Sequence, residues 1–140
     1  MIQKEFCSYK VSKALYDLGY NYASLGSYTD AKTFNLTEGG LMYRVVGFPD
    51  PYPDFCLAPL RQQAFEWLRE KHKYMHEIVD IGVSAGDSEW GWRFKFSFWR
   101  LLDAYNALYM DESILGYLTY EEAEEKCILE IIVKIKALSK

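Results

Sequence analysis

A chain of 140 residues suits one domain with a real core, since a protein of this size buries roughly two thirds of its unfolded surface. Half the residues are hydrophobic and 26% are charged, which excludes a disordered chain. The formal charge of −4 and a pI near 5.2 argue against a protein whose main work is neutralising phosphates, although a local basic strip is compatible with that total.

Two further compositional features constrain the setting. The cysteines Cys7, Cys56 and Cys127 are scattered singly, with no CxxC pair, and any disulfide scheme leaves one over. A reducing, cytoplasmic compartment is expected. The opening "MIQKEFCSYK" has no uninterrupted apolar run, and charges break "CILEIIVKIKAL" well short of a membrane span, so no membrane association is expected. Twelve tyrosines point to a thin core, a sticky surface, or both, because tyrosine is comfortable with its ring buried and its hydroxyl wet.

In "SYKVSKALYDLGY", Ser8 is a plausible N-cap, Val11, Ala14, Leu15 and Leu18 form an apolar stripe, and Gly19 is a stop, which predicts a short helix. A hairpin is expected next, around the turn-like Thr29-Asp30-Ala31-Lys32, with Gly39-Gly40 as a further turn. Pro49, Pro51, Pro53 and Pro59 then deny the backbone both helix and central strand, leaving an irregular surface loop at about 48–59. With Pro59 in its first turn, "PLRQQAFEWLREKHKY" reads as a second helix with Leu60, Ala64, Trp67 and Leu68 on one face.

From Met75 the period changes to two: Val79, Ile81 and Val83 share one face of a strand, and His76, Ile78 and Asp80 the other. The loop "SAGDSEWG" leads to "WRFKFSFWR", with Trp92, Phe94, Phe96 and Phe98 inward and Arg93, Lys95, Ser97 and Trp99 outward, so the two strands make an antiparallel hairpin. Residues 101–117 read either as further helical turns or as turns followed by a short strand. Thr119 with Glu122 is a capping box, and Ala123, Cys127, Ile128, Ile131, Ile132, Ile135 and Leu138 give the last helix a broad apolar stripe. The expected architecture is α+β: a single domain over 1–140, with an antiparallel sheet of about four strands and three helices packed mainly on one face.

The segments "SYKVSKALYDLGY", "APLRQQAFEWLREKHKY" and "TYEEAEEKCILEIIVKI" together resemble a pattern found in small phage and mobile-element proteins of gut bacteria. The resemblance covers roughly half the chain and is carried by helix ends and core faces. It implies an origin and a domain outline, and it brings no activity and no catalytic residues. The chain departs from the pattern in its proline-rich loop and in "WRLLDAYNALYM".

Candidate chemistry is sparse. His72 and His76 would share a helical face, as in HExxH sites, only if the helix ran on through Met75. The change of period predicts that it does not, so neither a metal nor any other cofactor is expected. Cys127 lies on an apolar helix face, Cys56 follows the proline loop and is a candidate for exposure, and no histidine is placed beside either to form a thiolate. The acids of the last helix have a structural reason at a helix start.

These readings favour a non-enzymatic interaction protein. Its candidate protein-binding residues are Phe48, Tyr52 and Phe55, aromatics held in a proline-stiffened loop, and self-association or another protein partner is expected. The alternative is single-stranded nucleic-acid binding through Arg93, Lys95, Trp99 and Arg100, where cations alternate with rings on which bases stack.

Overall fold

The computed structural model describes residues 2–36, 54–80, 94–101, 107–112 and 119–138. The chain divides into two compact units, Met1–Trp67 and Leu68–Lys140, with the boundary inside a helix. The class is α+β. In place of one sheet of about four strands, the described residues form two three-stranded antiparallel sheets, one in each unit.

The first unit begins with a short 3-10 helix, Ile2–Glu5, and the helix α1, Tyr9–Leu18. The Ser8 hydroxyl accepts from the Val11 N–H at 3.4 Å, which satisfies one of the donors a helix start leaves open. At the other end Gly19 turns left-handed at φ 114°, and the Tyr20 N–H reaches back to the Leu15 carbonyl at 2.9 Å. The buried stripe of α1 is Val11, Ser12, Leu15 and Tyr16. Tyr16 is absent from the expected stripe, whereas Ala14 and Leu18 are half-buried.

Strands β1 (Gly26–Asp30) and β2 (Thr33–Leu36) form the expected hairpin, and the Asp30 carboxylate accepts from the Lys32 N–H at 2.8 Å across its turn. Strand β3, Cys56–Ala58, pairs with the other side of β1 and packs against α1. A Cβ on Gly26 would lie 2.9 Å from the Phe34 ring and 3.0 Å from Phe6, so only glycine lets these rings close over the strand.

Tyrosine and phenylalanine make up much of the core of this unit, beside Cys56, Leu57 and Ala58. Phe6 and Phe34 lie 5.2 Å apart, Tyr28 and Phe34 5.3 Å, and Tyr9 and Tyr28 5.5 Å, in the tilted or edge-on geometries that ring quadrupoles favour. Their hydroxyls are used as well. Tyr28 donates to the Cys7 carbonyl at 2.9 Å and Tyr9 to the Asp54 carbonyl at 3.0 Å.

Helix α2 spans Arg61–His72. Pro59 precedes it rather than occupying its first turn, because the Pro59 carbonyl is engaged by the Cys7 N–H at 2.8 Å. Leu60 is the first carbonyl of the helix, and Gln63 Oε1 accepts from the Leu60 N–H at 3.1 Å, half of a capping box. Arg61 is buried, and its guanidinium donates to the Phe6 carbonyl at 2.7 Å and to the Lys4 carbonyl.

The second unit holds β4 (Tyr74–Asp80), β5 (Phe94–Leu101), β6 (Ala107–Glu112) and α3 (Tyr120–Leu138), with β5 central. Thr119 caps α3 by accepting from the Glu122 N–H at 3.1 Å. Six of the seven expected stripe residues of α3, Ala123 to Ile135, are buried, while Leu138 is 57% exposed at the helix end. Residues 107–112, within the stretch whose sequence reading stayed open, are a strand.

Candidate functional site

Helix α2 ends at His72 and the backbone turns extended at once. Lys73 takes a left-handed φ of 64°, its N–H still bonded to the Arg69 carbonyl, and its own carbonyl accepts from the Leu101 N–H at 2.8 Å. Strand β4 therefore starts at Tyr74, earlier than the change of period in the sequence indicates. The two histidines fall on different elements, His72 on the helix and His76 in the strand. Among the described residues no group of three His, Cys, Asp or Glu side chains is placed to hold a metal ion.

The pairing of β4 with β5 runs without interruption from Tyr74 opposite Arg100 to Asp80 opposite Phe94. Because successive strand residues point to opposite faces, one face carries Tyr74, His76, Ile78, Phe96, Phe98 and Arg100. Helix α3 lies along this face. The Tyr120 ring meets Phe94 edge-on at 5.8 Å at one end, and Arg100 shares a cleft with Ile135 and Leu138 at the other. The opposite face carries Met75 beside Trp99, Glu77 beside Ser97 and Val79 beside Lys95.

This register separates the expected nucleic-acid residues. Lys95 and Trp99 share the outer face, half-buried, but Arg100 belongs to the α3 face, so the four do not form one strip. Arg93 lies outside the described residues, as do Phe48, Tyr52 and the Gly39-Gly40 turn. Phe55 is not displayed: it packs on the first unit's core, edge-on to Tyr16 at 6.0 Å. Cys56, a candidate for exposure, is fully buried as the first residue of β3.

Electrostatics follow burial. Desolvation pushes the Cys56 thiol up to about 12 and raises Cys127 as well, which disfavours the thiolate a nucleophile requires. Desolvation, with Arg69 as the second cause, holds the His76 imidazole down at about 4. His72 is lowered for the same first reason and then by Arg100.

The cleft beside Arg100 has a volume of about 320 Å³. Lys71, His72 and Lys73 from the end of α2, Tyr74 from β4 and Arg100 from β5 line its polar side; Ile135 and Leu138 close the other. Among the described residues no carboxylate lines it. Tyr74 is 3% exposed, and its hydroxyl has no hydrogen-bond partner among the described residues. Sequence reading missed this cleft because its cations come from segments separated by nearly thirty residues, joined only by the strand register.

Among the described residues no helix is long and apolar enough to cross a membrane. Comparison with known proteins finds no matching family model, no matching curated protein and no matching solved structure.

Proposed function

We propose that the chain is a non-enzymatic, cytoplasmic interaction protein of phage or mobile-element origin, and that it pairs with a second copy of itself through the outer face of β4 and β5. The observation that carries this reading is the composition of that face. Met75 and Trp99 stand directly opposite each other, with Glu77 on one strand and Lys95 on the other. Trp and Met are enriched at interface centres, and a face holding one acid and one base becomes self-complementary under two-fold rotation, Glu77 of one copy meeting Lys95 of the other. Val79, 43% exposed, adds apolar area to the same patch.

The cytoplasmic setting is supported by three buried cysteines that form no disulfide. The non-enzymatic reading is supported by the separation of the histidines and the raised thiol pKa values. Light scattering over a concentration series is the test. A dimeric mass for the wild type, lost in Trp99→Glu, is expected; a monomeric mass throughout removes self-association.

A second reading keeps single-stranded nucleic acid as the partner of the same face, favoured by the placement of Lys95 and Trp99 together. The exposed Glu77 between them and the removal of Arg100 to the other face weaken it. Oligonucleotide titration at low and high salt separates the two. Binding that falls with salt and with Arg93 or Lys95 substitution supports this reading, and no binding at low salt eliminates it.

A further inference from the structure

We propose that the cleft between Lys71, Lys73, Tyr74 and Arg100 on one side and Ile135 and Leu138 on the other binds a small oxyanion, a phosphomonoester with a compact apolar group. This site is on the α3 face of the sheet, away from the outer face of β4 and β5, so it stands or falls separately from self-association.

Cations at the end of α2 have an ordinary explanation: lysine and histidine there complement the helix carbonyls, and the Lys73 ammonium donates to the Glu70 carbonyl at 3.1 Å. Capping does not account for three other features. Arg100 comes from β5, opposite Tyr74 in the ladder, and its planar guanidinium suits bidentate contact with a phosphate. Tyr74 lines the cleft, and its buried hydroxyl has no partner among the described residues, a costly arrangement unless an acceptor arrives.

The third feature is the backbone. Lys73 holds a left-handed conformation that glycine or asparagine adopts more readily, and the bond from Leu101 pins it there. That turn sets Tyr74 opposite Arg100. Three positive charges, with no carboxylate among the described residues that line the cleft, then create a local positive potential on a chain of net charge −4. The volume of about 320 Å³ is at the small end of ligand sites, and the Ile135–Leu138 wall favours a ligand with an apolar portion.

The test is titration of the full chain with inorganic phosphate, phenyl phosphate and, as a neutral control, benzyl alcohol, followed by amide chemical shifts. Saturable shifts confined to residues 71–74, 100 and 135–138 are expected with both phosphates, with phenyl phosphate the tighter, and none with benzyl alcohol. Arg100→Gln should weaken binding about tenfold or more, as for a lost charged hydrogen bond. Tyr74→Phe should weaken it several-fold while leaving the melting temperature of the free protein equal or higher, a combination that a purely structural tyrosine does not give. Absence of saturable shifts in the wild type, or unchanged phosphate affinity in Tyr74→Phe, overturns the proposal.

Discussion

Three single residues in this chain hold conformations or protonation states that most residues in their place would resist. Gly19 and Lys73 both have positive φ, but only glycine does so without strain. Gly19→Ala meets no atom within 4 Å of the new Cβ, so its cost is one of backbone conformation alone, expected at about 1 kcal/mol by urea denaturation. Lys73→Gly should shift stability the other way by a similar amount, about 1 kcal/mol, because it relieves the left-handed turn. His76 is the third. Its folded pKa of about 4 lies below the ordinary 6.5, so the unfolded chain binds a proton that the folded chain refuses. Stability from this group is complete above the ordinary value and falls as pH drops through the window between 6.5 and about 4. His72, lowered as well, acts in the same direction. Urea midpoints measured at neutral and mildly acidic pH should show this slope, and His76→Gln should flatten most of it; an unchanged slope in the variant contradicts the burial of a neutral imidazole.

Elements are legible in the sequence to the extent that their signals are local. Ser8 and Gly19 bracket α1, Thr119 starts α3, and Asp30 closes the first hairpin, each through bonds spanning only a few residues. Ser8→Ala and Thr119→Ala are each expected to cost about 1 kcal/mol in denaturant unfolding, the usual worth of an N-cap. Long-range choices are not written locally. Alternation in β4 places His76 and Val79 on opposite faces, but only the register with β5 shows that the histidine's face is the one covered by α3 and the valine's the exposed one. Arg61 is a sharper case. A charged residue at a helix start reads as solvated, yet it is 6% exposed because carbonyls of the N-terminal segment need its donors. Arg61→Met should therefore destabilise by about 2–3 kcal/mol, since buried carbonyl groups lose their partners. Equal stability of the variant would mean that those carbonyls are satisfied in some other way.

For the whole molecule, composition and class agree. A tyrosine-rich chain builds a core rich in aromatic rings in its first unit, and the isoleucine stripe of α3 supports a sheet in its second. The division of the described strands into two sheets is what pattern alone misses, because nothing in the periodicity of a strand says which partner it pairs with. The candidate site was legible only in part for the same reason. Lys95 and Trp99 were visible as a cation and a ring on one face, whereas the cleft of Lys71, Lys73, Tyr74 and Arg100 exists only once β4 and β5 are aligned. That alignment gives the second sheet two chemically different faces, and the proposed function follows from the outer one. Molecular mass by light scattering of Lys95→Glu, Glu77→Lys and the double variant, each beside the wild type, is the most direct test. The wild type and the double variant should be dimeric and each single reversal shifted toward monomer; a wild type that is monomeric at every concentration, or single reversals that dimerise as well as it does, would contradict pairing through this face.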